Sequence, residues 1–222
     1  MTGVLLAIDT SGGTSVAVLR DGEILAETNH PQGLKHAELI GSALAETLAA
    51  AGASAREVRA VAVGRGPALF TGLRVGIAAA TMFSAAVDGP LLGVVSHDAL
   101  ALQLMHAEPA LHDLPLLVTT DARRGEIYYA LYQGLDRHGL PKRVEGPAVS
   151  NHDAVLQNLS ERSGQHGSLV ERTGAATAGW VARLAQLQLR AGVAEHEVSA
   201  LYLRAPDAVE PKPSGFGKRV SG

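Results

Sequence analysis

The residues of this chain that could do chemistry gather in two glycine-rich stretches. The first, GRGPALFTGLRVG over residues 64–76, follows an apolar run from Val58 to Val63 and leads into a helical pattern. A strand, a glycine loop and a helix in that order aim backbone N–H groups and a helix N-terminus at an anion, or let a second chain come close, because glycine has no Cβ in the way. No Gly-Lys-Ser or Gly-Lys-Thr follows, and position 69 is leucine where a dinucleotide fingerprint needs a third glycine, so neither nucleotide signature is complete. The plainer reading is a tight strand-to-helix turn. Thr71 is placed to cap the helix, and Arg74 falls in its first turn, where a cation gains nothing from the helix dipole and calls for an acidic partner within the fold or across an interface.

The second stretch, Asp9-Thr10-Ser11-Gly12-Gly13-Thr14, is a turn carrying one acid, three hydroxyls and two glycines. Asp121 stands in a similar setting after a later apolar run, so Asp9 and Asp121 either face one cleft as an acid pair or hold their own turns. The nine histidines include no pair four residues apart, the spacing that projects two imidazoles from one helical face onto a metal. Cysteine is absent, which removes disulfides, thiolate metal sites and a cysteine nucleophile. No serine lies in a Gly-x-Ser-x-Gly elbow.

These stretches need elements to hold them, and 222 residues with 46% hydrophobic content suffice for a substantial core. A net charge of -3 argues against a broad surface for gripping nucleic acid, so any RNA is expected on a partner. The first residues lack a basic segment followed by a long apolar one. The longest uncharged stretch, Val75 to Val87, is thirteen residues, short of the ~20 that span a bilayer. The expectation is a cytoplasmic protein with no membrane contact.

Apolar runs from Gly3 to Ile8, Ser15 to Leu19 and Ile24 to Thr28, with Asp21-Gly22 between the last two, predict an antiparallel start. A helix is predicted from Leu34 to Ala51 with a core stripe of Ala37, Ile40, Gly41, Leu44, Leu48 and Ala51. Its other face carries Leu39, Ser42, Ala43 and Ala45 besides Lys35, Glu38 and Glu46, which suits either a docking surface or simply alanine's high helix propensity. In a second helix, Gly72 to Val87, the core stripe Leu73, Ile77, Ala80, Ser84 and Val87 faces away from Arg74, Ala78, Thr81, Met82 and Ala85, which are almost as apolar. A helix apolar all round must be covered on both sides. Leu91 to Val95 reads as a strand, Ala99 to His106 as a helix, and Pro109 and Pro115 bracket a linker. Leu116 to Thr120 and Ile127 to Tyr132 then repeat the opening order of strand, acid, turn, strand. A strand from Val144 to Val149, helices over Asp153 to Leu159 and Ala178 to Ala191, and a strand-like Ala200 to Leu203 follow. The expected division is a subdomain over 1–106, a smaller one over 107–205 and a flexible, Pro- and Gly-rich tail over 206–222.

Four segments, LLAIDTSGGTSVAVLRDG, GRGPALFTGLRVGIA, DARRGEIYYALY and LYLRAPDA, together resemble the bacterial TsaB (YeaZ) family, over most of the chain from about Leu5 to Arg204. Of that family's Gly-Pro-Gly-Ser-Phe-Thr-Gly-x-Arg-x-Gly the chain keeps Gly66, Pro67, Phe70, Thr71, Gly72, Arg74 and Gly76, and departs at Ala68 and Leu69. The resemblance implies an α/β fold of the actin-like, sugar-kinase-like and Hsp70-like (ribonuclease H-like) class, two related subdomains with mixed sheets flanked by helices. It implies a non-catalytic scaffold or activating subunit that pairs with its paralogue TsaD. That catalytic subunit holds a metal through a histidine pair and transfers a threonylcarbamoyl group to adenosine 37 of tRNA. The ATPase TsaE joins the assembly, tRNA is touched only indirectly, and the same surface supports a homodimer in isolation. On that reading the chain has no catalytic residue and no metal ligand. Its partner interface falls on Leu39, Ser42, Ala43, Glu46, Phe70, Thr71, Arg74, Ala78, Thr81, Met82 and Ala85. Asp9, Thr10 and Ser11 are then a vestigial nucleotide site, the chain alone binds no cofactor, and ATP and a metal ion belong to partner subunits. The alternative is an autonomous ATP-dependent phosphotransferase of the actin-like superfamily using Asp9 and Thr10; a metallopeptidase is the weakest reading.

Overall fold

A computed structural model describes residues 3–31, 36–162 and 169–204. β1 (Val4–Asp9) is buried along its whole length, third of five strands in a sheet ordered β3-β2-β1-β4-β5. It pairs antiparallel with β2 (Gly13–Arg20), which pairs antiparallel with β3 (Glu23–Pro31). On its other side lie β4 (Val58–Gly64) and then β5 (Leu91–Val94), both parallel. Alternation along β1 sends Val4, Leu6 and Ile8 to one face and Leu5 and Ala7 to the other. Both faces are covered, which is why the run carries no polar side until Asp9.

α1 (His36–Ala50) and α2 (Phe70–Val87) lie on the first face, where Ala43, Ala80, Ile40, Leu44, Leu48 and Ile77 meet the β1 valine and isoleucine side. α3 (Ser96–Ala107) and the last helix, α5 (Ala178–Ala191), cover the second face. The sheet itself supplies hydrogen-bond acceptors to the start of α5: Ala178 N–H donates to the Ser15 hydroxyl and Gly179 N–H to the Glu27 carboxylate, each at 2.7 Å.

The second sheet runs β8-β7-β6-β9, from β6 (Pro115–Arg123), β7 (Glu126–Leu135), β8 (Pro141–Asn151) and β9 (Val170–Thr173). Leu116, Val118, Ala130 and Tyr132 on its inner side enter the same core as α3 and α5, while α4 (His152–Arg162) packs Val155 and Leu159 on Leu117 outside. β6 repeats β1: antiparallel to the next strand, parallel to a later one, with an aspartate near its end. Two mixed sheets flanked by helices, the second echoing the first, make the actin-like, sugar-kinase-like class expected from the sequence.

Several expectations change. α2 starts at Phe70 with Leu69 as its N-cap, so Thr71 lies inside the first turn and does not cap it. Ala37 and Gly41 are exposed whereas Ala43 and Thr47 are buried, so the inward stripe of α1 sits further round the helix than the sequence pattern placed it. Ala200 to Leu203 forms no strand, and β9 was not anticipated. The expected tail over 206–222 and the first residues of the predicted first helix, Leu34 and Lys35, lie outside the described residues.

Candidate functional site

Asp9 ends β1 and is 1% exposed. Its Oδ1 accepts the Ser11 N–H at 2.7 Å and the Ser11 hydroxyl at 2.5 Å, and its Oδ2 accepts the Ser96 hydroxyl at 2.7 Å. Burial pushes the carboxyl above its ordinary range, while the bonds from Ser11 and Ser96 pull it back. Gly64 is dictated by closeness: a Cβ there would stand 1.7 Å from Asp9 Oδ2. Thr10 donates its hydroxyl to the Gly72 carbonyl at 2.8 Å, and a Cβ on Gly76 would come within 2.3 Å of that hydroxyl oxygen. Gly12 is pressed on Ala175 so closely that its Cβ would lie 2.3 Å from the alanine methyl.

The glycines of the 64–76 stretch are therefore spacers that seat the Asp9 turn on the N-terminal end of α2. The carboxylate of Asp9 and the hydroxyl of Thr10 are engaged inside the fold. Asp121 serves its own hairpin, accepting the Arg123 N–H at 2.7 Å and pairing with the Arg123 guanidinium at 2.9 Å. The two aspartates hold separate turns; they do not form an acid pair.

The first turn of α3 ties these parts together. Ser96 bonds Asp9 and also accepts the Gly66 N–H at 3.1 Å. His97, 1% exposed, meets the Thr120 hydroxyl through Nε2 at 2.9 Å, and its Nδ1 has no hydrogen-bond partner among the described residues. Burial first, and the charge of Arg143 second, push its pKa down to about 3. Asp98 Oδ1 accepts the Tyr132 hydroxyl at 2.7 Å and lies 3.3 Å from Arg143. Burial raises its pKa and Arg143 opposes the rise. Three consecutive side chains thus reach the Asp9 turn, β6 and the β7–β8 pair. Among the described residues no three His, Cys, Asp or Glu side chains gather to hold a metal, and no helix is long and apolar enough to cross a membrane.

α1 and α2 lie against each other on one face of the sheet. Outward from α2 point Thr71, Arg74, Ala78, Thr81, Met82 and Ala85, all exposed, with Met82 at 73%. Outward from α1 point Gly41, Ser42, Ala45, Glu46 and Ala49. The Ser42 and Thr81 hydroxyls turn back to their own helices, to Leu39 O at 3.0 Å and Ile77 O at 2.8 Å, which leaves these faces less polar than their composition. Of the sequence-derived interface, Leu39 is half-buried and the Phe70 side chain lies outside the described residues. Ala43 is a correction: it is wholly buried against the sheet and cannot meet a partner. Arg74 donates from Nε to the Tyr202 hydroxyl at 2.8 Å and lies over the Tyr202 ring. Sequence reasoning missed Tyr202, since nothing local links it to a helix 128 residues away.

A family described as TsaD, tRNA N6-adenosine threonylcarbamoyltransferase, matches residues 23–171. The tRNA threonylcarbamoyladenosine biosynthesis protein TsaB of Escherichia coli is 32% identical over 163 residues, covering 72% of this chain and 68% of that one. An uncharacterised protein of Mycobacterium leprae is 35% identical over 218 residues, 92% of this chain and 56% of its own length. The chain thus spans between about half and two thirds of the length of these relatives. Among solved structures, YeaZ from Pseudomonas aeruginosa superposes with a TM-score of 0.70 at 26% identity, over 91% of this chain and 100% of that one.

Proposed function

This chain belongs to the TsaB (YeaZ) family, and on that premise we propose that it is a non-catalytic scaffold subunit in the synthesis of threonylcarbamoyladenosine on tRNA. It pairs with the catalytic paralogue TsaD through the outer faces of α1 and α2. One observation carries this reading: two adjacent helices expose small or apolar side chains, Gly41, Ala45 and Ala49 on one and Ala78, Met82 and Ala85 on the other. Small outward residues let a second helix pair approach backbone to backbone, with Met82 as the adaptable apolar knob. The match to the TsaD family over residues 23–171 supports TsaD as the occupant, since a paralogue of the same fold can offer a similar helix pair in a pseudo-two-fold arrangement. A second copy of this chain would use the same face when TsaD is absent.

With the Asp9 and Thr10 side chains engaged inside the fold, ATP and metal are assigned in this reading to the partner subunits, TsaD and the ATPase TsaE. tRNA then meets the assembly through those partners. Replacing Ala78 by Arg puts a long charged side chain on the exposed stripe and touches nothing buried. The variant should melt within a few degrees of the parent yet fail to co-elute with TsaD on size exclusion. Co-elution of a folded Ala78→Arg variant would place the docking face elsewhere.

A further inference from the structure

The segment after α5 runs back across the edge of the first sheet and ends beside α2. Glu195 bridges antiparallel to Gly93 in β5, with the Gly93 N–H donating to the Glu195 carbonyl at 2.9 Å. A Cβ on Gly93 would stand 1.9 Å from the Glu197 carbonyl oxygen, so only glycine lets this strap lie flat. The Glu195 carboxylate pairs with Arg65 at 2.6 Å, and the Arg65 carbonyl accepts the Leu201 N–H at 2.8 Å. Further on, Arg204 donates to the Ala122 carbonyl at 3.1 Å and pairs with Glu126.

Between these anchors Tyr202, 39% exposed, reaches the first turn of α2. Its hydroxyl accepts from Arg74 Nε at 2.8 Å while the guanidinium carbon sits 5.6 Å from the ring centroid. An arginine carries large rotamer freedom, and a tyrosine carries little; a strap that fixes the tyrosine from both sides therefore orders the arginine as well. We propose that Tyr202 is a positioning residue for partner docking: held by the strap, it presets Arg74 at the N-terminal end of the α2 docking face, so that the guanidinium meets TsaD already ordered. The inference rests on the docking reading above and extends its surface to a part of the chain outside both helices.

The test is a double-mutant cycle, with affinity for purified TsaD measured by titration calorimetry and thermal melting run in parallel. Ordering one side chain in advance is worth about 3- to 10-fold in affinity. Tyr202→Phe should weaken binding by that factor with an unchanged melting midpoint, and Arg74→Ala should weaken it at least as much. Adding Tyr202→Phe to Arg74→Ala should then weaken binding no further. Wild-type affinity in Tyr202→Phe, or losses that multiply in the double variant, would overturn the inference. Ala78→Arg separates the two readings: if it abolishes binding while Tyr202→Phe is neutral, only the role of Tyr202 falls; if it binds normally, the docking face falls with it.

Discussion

Protonating His97 inside the fold is harder than in the unfolded chain, because burial beside Arg143 lowers its pKa from 6.5 to about 3. Between those values the unfolded chain binds the extra proton, so this contribution to stability is complete above pH 6.5 and is lost as pH falls toward 3. The loss between pH 7 and 5 is about 2 kcal/mol, since the full slope of roughly 1.36 kcal/mol per pH unit is reached only below pH 6.5. Asp9 and Asp98, with raised values, act in the opposite sense: the folded state takes up their protons first, so each relieves part of that loss on acidification. Urea unfolding at pH 7 and pH 5 of the parent and His97→Gln isolates the histidine, and the variant should lose less stability over this interval. Equal losses would contradict its buried, neutral state. Sequence alone marked Asp9, Thr10 and Ser11 as a turn able to carry chemistry. It could not show that Ser96, 87 residues on, and the missing Cβ of Gly64 close that turn, since both act only through tertiary contact.

At the scale of elements, β1, β4 and β5 are legible as apolar runs, because strands covered on both faces have few polar residues to confuse the pattern. α1 was harder. Alanine, glycine and serine on every side give little contrast, so the sequence pattern turns Ala37 and Gly41 inward whereas Ala43 and Thr47 face the sheet. The difference has a measurable consequence. Ala43→Arg buries an unpaired charge in the core and should cost several kcal/mol or prevent folding. Ala45→Arg lies on the exposed side and should change stability by about 0.5 kcal/mol or less while removing co-elution with TsaD. Thermal melts and size exclusion on both variants check the assignment, and equal stability of the two would contradict it. β9 reads VERT, too short and polar for its pattern to stand out, and it is a strand only because β6 offers a parallel edge. Ala200 to Leu203 has strand-like residues but passes the glycine loop as part of the strap, where only single contacts are available.

In the molecule as a whole, the repeated order of strand, acid, turn and strand foretold two related sheets, and β1 and β6 carry out that repetition. The return of α5 to the first sheet and the strap beyond it were not legible. They depend on Ser15 and Glu27 accepting the first N–H groups of α5, and on Gly93 admitting the strap. Those contacts bring the end of the described chain to the start of α2, so this helix is held by the sheet below, the Asp9 turn beside it and Tyr202 at its end. The proposed scaffold role draws on this arrangement: a helix pair with a small-residue outer face, and Asp9 and Thr10 side chains engaged within the fold. Reconstituted threonylcarbamoyl transfer to tRNA by TsaD and TsaE, with and without this chain, tests the role most directly. Transfer should rise with added wild-type chain until it matches TsaD in amount, and Ala78→Arg should give no rise; transfer that is unchanged by the wild-type chain, or that the chain performs alone, would contradict the account.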